Sequence, residues 1–180
     1  MKLELVDPID WDFIEGQLDR DFGRGTTRAL LGDLAPVMLM RNDNKSFYLI
    51  PFDWIKKIEQ EFIGFDVKSL GLWFGEIIDE KFRLSLPILE KLAKITKNKL
   101  IVSSRGAEAF TYGRSILKES VAHIHPDLKR GERVIVFNEN NDVLGMAMLS
   151  VNAFLVDRLA KDKLVGKNLV DIGWYLRRMA

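Results

Sequence analysis

The chain has no cysteine, only two histidines and no long apolar run. Without cysteine, disulfides and thiolate metal sites are excluded. No apolar stretch approaches the ~18 residues that span a bilayer, so no membrane partner is expected. The first residues, Met1-Lys2-Leu3-Glu4-Leu5-Val6-Asp7, are charged at once and lack the apolar stretch of a secretory signal. An intracellular, cytoplasmic location fits these absences. Neither sign of charge dominates, with 27 Lys and Arg against 26 Asp and Glu. Repeats and low-complexity tracts are missing too. What is present is ordinary for a packed protein: 47% hydrophobic and 29% charged residues, enough apolar material for a core.

The charge is unevenly divided along the chain. Lys99 to Ala180 carries 13 Lys and Arg against 9 Asp and Glu, a net of +4, which leaves 14 against 17, a net of −3, for Met1 to Asn98. Such a division suggests two units with different roles. The short polar Thr96-Lys97-Asn98 is placed between them, giving domains 1–97 and 98–180.

In the first half, Trp11, Ile14, Leu18 and Phe22 recur at helical spacing, and Gly23 is placed to stop the helix. Gly23-Arg24-Gly25-Thr26-Thr27 reads as a flexible loop. Val37–Met40 and Ser46–Ile50 flank Asn42-Asp43-Asn44 as a hairpin. Asp53 is placed to cap a helix with apolar residues Trp54, Ile55, Ile58 and Phe62, closed by Gly64. Strands are expected over 67–74 and 77–84. A helix near Pro87 then turns Ile88, Leu89, Leu92 and Ile95 inward. The second half reads as a strand over 99–102, a helix over 105–118, and strands over 121–124, 133–138 and 143–151. Asn140-Asn141-Asp142 turns between the last two. An amphipathic segment, 171–178, ends the chain. The fold class expected is α+β: a mixed domain of antiparallel strands with covering helices, then a small β barrel whose closure removes exposed sheet edges.

Few residues offer catalytic chemistry. His123 and His125 would share one strand face, but two ligands with Asp127 nearby are too few for zinc. Gly23-x-Gly25 lacks the further glycine and lysine of a phosphate loop. Ser103-Ser104 has no histidine at a recognisable spacing. The scattered acids Asp7, Asp10, Asp12, Glu76, Asp79 and Glu80 are explained by solvated faces. No cofactor or metal is expected, and no enzyme activity.

Basic residues carry more information. Arg158, Lys161, Lys163, Lys167, Arg177 and Arg178 crowd the end of the chain against Asp162 and Asp171. Arg105, Arg114 and Lys118 extend the same face if the helix packs beside the C-terminus. Such a set is either a solvated face or a footprint for phosphates, where binding is driven by counterion release. Phe110, Tyr112, Phe137, Phe154, Trp174 and Tyr175 are interleaved with it, fit for core packing or for stacking on bases.

Several motifs fall in one register. Arg105-Gly106-Ala107-Glu108, Tyr112-Gly113-Arg114, Ile116-Leu117-Lys118, Val134-Ile135-Val136-Phe137 and Leu144-Gly145-Met146-Ala147 resemble a PUA domain, an RNA-binding pseudo-barrel. Gly106 and Gly113 sit where a short helix must meet strands closely. Ser69-Leu70-Gly71-x-x-Phe74-Gly75, Lys81-Phe82-Arg83-Leu84, Phe110-x-Tyr112-Gly113 and Asp171-Ile172-Gly173-x-Tyr175 resemble the Nip-seven family of ribosome-biogenesis proteins. The resemblance implies an N-terminal α/β domain followed by a PUA domain. It also implies a role in maturing the large ribosomal subunit and its precursor RNA. The expected ligand is single-stranded, uridine-rich RNA, with pre-ribosomal proteins or exosome subunits as protein partners. Arg158, Lys161, Lys163 and Lys167 are the positions onto which it carries RNA contact. A monomer of archaeal origin is expected, in the cytoplasm, or in the nucleolus if eukaryotic. The alternatives are a protein–protein adaptor and an RNA-modifying enzyme.

Overall fold

The computed structural model describes residues 2–41, 44–61, 70–78 and 80–174. The chain divides into two compact units, Met1–Ile95 and Thr96–Ala180. Each carries its own sheet.

In the first unit the order is β1 (Lys2–Leu5), α1 (Pro8–Phe22), α2 (Thr26–Leu31), β2 (Leu34–Arg41), β3 (Asn44–Pro51), α3 (Trp54–Glu61), β4 (Leu72–Ile78), β5 (Lys81–Leu84) and α4 (Leu86–Leu92). The five strands pair antiparallel in chain order. α1 starts where the Asp7 carboxylate accepts from the Ile9 N–H at 2.8 Å and Pro8 needs no partner for a missing donor. It buries Ile14 and Leu18 completely. An aromatic cluster joins β3, β4 and β5: the Phe82 ring lies 5.8 Å from Phe47 and 5.0 Å from Phe74.

Four expectations for this unit are corrected, and one strand is added. The segment read as a flexible loop holds the start of α2, and the Asp19 carboxylate pins it through the N–H groups of Gly25 and Thr27. The two strands expected across 67–84 break after Ile78, at Glu80, instead of near Gly75, because Ile78 pairs with Lys81 and Glu80 takes a positive φ of 58°. Gly75 is a mid-strand residue lying against the Arg83 carbonyl. Ile95 is exposed, since α4 ends at Leu92 before reaching it. Trp54 is exposed at the first position of α3 rather than part of a buried face. Lys2–Leu5, unassigned in the sequence, is the edge strand β1, with Lys2 opposite Met40. Phe62, Gly64 and 67–69 lie outside the described residues.

The second unit contains β6 (Lys99–Val102), α5 (Ser104–Thr111), β7 (Ile116–Leu117), a 3₁₀ turn (Lys118–Ser120), β8 (Val121–Ile124), β9 (Arg133–Phe137), β10 (Val143–Leu149), a 3₁₀ helix (Ala153–Arg158) and β11 (Leu164–Asp171). The strand order is β7-β11-β10-β9-β6-β8, antiparallel except for the β6–β9 pair. The two edge strands, β7 and β8, are joined by three residues. Four residue steps reach about 14 Å at most, so the ends of the sheet are held near one another and it curls into a nearly closed barrel. Its interior holds Leu100, Phe110, Val134, Val136, Leu149 and Val165. The α+β class and the barrel-like second half match the expectation from sequence.

One correction and one addition matter for function. The helix expected over 105–118 stops at Thr111, and Ile116-Leu117 is a strand. The stretch 164–170, given no element from the sequence, belongs to β11, the strand on which β7 and β10 both pair. The expected amphipathic segment starts at Asp171, the last residue of β11, and 175–180 lie outside the described residues.

Candidate nucleic-acid interface

β7 and the 3₁₀ turn run antiparallel beside the start of β11. Leu117 lies opposite Leu164, the Lys118 N–H donates to the Lys163 carbonyl at 2.8 Å, and the Glu119 N–H donates to the Lys161 carbonyl at 3.1 Å. Three lysines therefore spring from adjoining backbone. Arg158 follows Asp157 at the end of the 3₁₀ helix, and Asp157 reaches Lys118 Nζ at 3.0 Å. Arg105, in the first turn of α5, precedes the glycine that packs on the turn. Gly106 lies so close to the turn that a Cβ there would sit 2.7 Å from Ser120 Cβ, and the Ser103 N–H donates to the Ser120 carbonyl at 2.9 Å.

Two further cations lie elsewhere. α5 is about 12 Å long, which places Arg114, beyond its C-terminus, away from Arg105. The Asn168 amide, donating to the Phe110 carbonyl at 2.9 Å and the Arg114 carbonyl at 3.4 Å, ties that end of the helix to β11. Lys167 precedes Asn168 and stands opposite Met148, which stands opposite Arg133. Since Gly166 faces Ala147 and Ile116 in the interior, alternation turns Lys167 to the outer face. Arg177 and Arg178 lie outside the described residues.

Asp157, Glu119 and Asp162 are interleaved with the basic group, all exposed. Lys118 is the half-buried member and is held by Asp157, whereas Arg158, Lys161, Lys163 and Lys167 are exposed and make no ion pair with any described residue. An exposed pair of this kind is worth about 0–1 kcal/mol, so a phosphate could displace Asp157.

Other candidates resolve into structural roles. The Ser103 hydroxyl accepts from the Gly106 N–H and caps α5, and Ser104 donates from both N–H and hydroxyl to Glu139 at 2.9 Å. His125 Nδ1 lies 3.8 Å from the Asp127 carboxylate, and among the described residues no three His, Asp or Glu side chains gather as a metal site. Gly25 and Thr27 hold a carboxylate of their own chain: Asp19 accepts from the Gly25 N–H at 2.6 Å and from the Thr27 N–H and hydroxyl, while the Gly23 N–H donates to the Asp19 main-chain carbonyl. Burial raises the Asp19 pKa, but these hydrogen bonds and Arg24 outweigh it and leave the carboxyl below the usual aspartate value.

Sequence reasoning left out Lys129 and Arg130, exposed on the loop before β9. It also left open which aromatics are buried. Phe110 and Phe137 are core, while Tyr112 and Phe154 are 73% and 60% exposed. A signal for Phe154 existed: Ala153 and Val156 stand at the three-residue spacing of a 3₁₀ helix, both are buried, and Phe154, one step round from Ala153, must lie off that face.

Residues 98–180 match the UPF0113 PUA domain family. The chain is 31% identical over 113 residues to the 60S ribosome subunit biogenesis protein Nip7 of Schizosaccharomyces pombe, covering 62% of this chain and 63% of that one. It is 30% identical over 131 residues to NIP7 of Saccharomyces cerevisiae, covering 72% of each. A UPF0113 protein of Archaeoglobus fulgidus is 37% identical over 109 residues, 59% of this chain and 60% of that one. In fold the chain is similar to a hypothetical protein of Pyrococcus horikoshii, with a TM-score of 0.63 at 11% identity over 97% of this chain and 99% of that one. A conserved PUA domain protein of Thermoplasma acidophilum gives 0.61 at 11% identity over 99% of each.

Proposed function

The chain belongs to the Nip7 family of ribosome subunit biogenesis proteins, and on that premise we propose that it is a non-catalytic RNA-binding factor in maturation of the large ribosomal subunit. Its ligand is single-stranded precursor RNA, gripped through the second unit. What supports an RNA ligand is the meeting of Lys118, Lys161 and Lys163 on adjoining backbone, with Arg158 and Arg105 beside them. The cations take phosphates, and the unpaired strand leaves its bases free, which an A-form duplex does not.

The test uses the full chain and a labelled uridine oligomer. Replacing Arg158, Lys161, Lys163 and Lys167 by Ala should weaken binding and flatten its salt dependence. Neutralising about five phosphates gives log K against log salt a slope near −3.5, or about a hundredfold loss between about 50 and 200 mM. If the quadruple variant binds as tightly as the parent, RNA contact lies elsewhere.

A second reading, docking to a basic protein of the pre-ribosome or the exosome, is favoured by the solvent face of α1. Ile9 is 80% exposed and Phe13, one turn on, is 40% exposed, with Asp7 and Asp12 exposed alongside. Ile9→Ser with Phe13→Ser should then lose a co-purifying protein and keep RNA affinity.

A further inference from the structure

A recess on the second unit lies between the loop before β9 and the start of the 3₁₀ helix. Pro126, Asp127, Leu128, Lys129, Glu132, Asn152 and Phe154 line it. Its walls are tied together. The Ala153 N–H donates to the Leu128 carbonyl and the Gly131 N–H to the Leu149 carbonyl, both at 2.8 Å, and the Arg130 N–H donates to Asn152 Oδ1 at 2.9 Å. The Lys129 N–H donates to Glu132 Oε2 at 2.8 Å. Leu128 is buried in the barrel core and anchors the loop. The recess is thus built into the fold rather than formed by loose side chains.

Resting on the RNA-binding reading above, we propose that this recess holds one unpaired nucleobase stacked on the Phe154 ring. Phe154 is held out at 60% exposure while Ala153 and Val156 are buried on either side, so a large ring is left without the burial that would reward it. The lining charges discriminate between ligands. Asp127 and Glu132 outnumber Lys129, which disfavours a phosphate inside the recess and suits a neutral planar ring. Asn152 spends its carbonyl on Arg130, which leaves its amide N–H₂ to donate, and the carboxylates can accept. A base edge presents both kinds of group. Cations for the flanking phosphates stand outside: Lys129 and Arg130 are exposed on one side. On the other, residues three apart eclipse in a 3₁₀ helix, so Asp157, with its partner Lys118, follows Phe154 along one face. The recess therefore continues the basic group that gathers at Lys118.

The full-length chain and fluorescent uridine and adenine oligomers test this by anisotropy titration across a salt series. Phe154→Ala should weaken binding about five- to hundredfold, the range for losing one stacked base, with the salt slope unchanged, and Phe154→Trp should retain affinity. Abasic sites placed singly along the RNA provide a test on the unaltered protein. At one position the loss should match that of Phe154→Ala, and combining the two should add little more. Wild-type affinity in Phe154→Ala, or additive losses, would overturn the base recess and leave phosphate binding standing. A parent protein that binds neither oligomer at low salt would overturn both.

Discussion

Asp157 competes with any phosphate for Lys118. Its side chain is 98% exposed and holds Lys118 Nζ at 3.0 Å, so its removal costs the fold little and strips a negative charge from the basic group. Asp157→Asn should therefore raise RNA affinity roughly two- to fivefold, the scale of one exposed ion pair, and steepen the salt slope. Equilibrium binding at low and moderate salt checks it; weaker binding would mean that Asp157 positions Lys118 for the RNA. Asp19 makes a different prediction, about acid. Its folded pKa is depressed, so the stabilisation it provides is present above the unfolded aspartate value and is lost as pH falls through the folded one. Asp19→Asn should lower the urea midpoint at neutral pH and show a shallower fall than the parent between about pH 4 and pH 2.

Gln17 does at the level of elements what a sixth strand would do. β5 is an edge of the first sheet, and the buried Gln17 carboxamide on α1 donates to the Phe82 carbonyl at 2.8 Å and accepts from the Phe82 N–H at 3.4 Å. A helix thereby closes an edge that would otherwise expose unpaired backbone. Gln17→Leu keeps the size but leaves two buried backbone groups without partners, and should cost about 1–3 kcal/mol for each, read as a lower urea midpoint with unchanged slope. Nothing in the sequence marks Gln17, since pairing through a helix side chain has no local spacing. What was legible had a local cause: α1 from its apolar periodicity and the glycine after it, the β2–β3 hairpin from paired apolar runs, α4 from Pro87. What was not legible depends on distant partners. β11 contains Gly166-Lys167-Asn168, which breaks the alternation of a strand, because Gly166 admits Ile116 and Asn168 binds the end of α5. The turn at Glu80 has no glycine or asparagine to mark it and so read as strand. At the candidate site, the cations were visible as residue types, while their meeting around Lys118 is a product of β7 pairing with β11.

At the scale of the molecule, a net charge of +1 cannot by itself attract a polyanion. If RNA binds, local density must do the work, because charges further apart than about 8–10 Å are largely screened at physiological salt. That separates two variants of identical net charge. Replacing Arg158, Lys161, Lys163 and Lys167 by Ala removes four positive charges from the second unit. Replacing Lys56, Lys57, Lys81 and Lys94, all exposed in the first unit, removes the same number. Both chains then carry a net of −3, from +1 less four. With a local footprint, the first variant loses most of its affinity and its salt slope shrinks by about 0.7 for each phosphate contact removed. The second should keep the parent's slope and lose no more than about twofold in affinity at physiological salt. Titrations of both against one RNA, across one salt series, compare them directly. Equal losses would mean that binding follows the charge of the whole chain, and the basic group around Lys118 would then be only the face that keeps the second unit in solution.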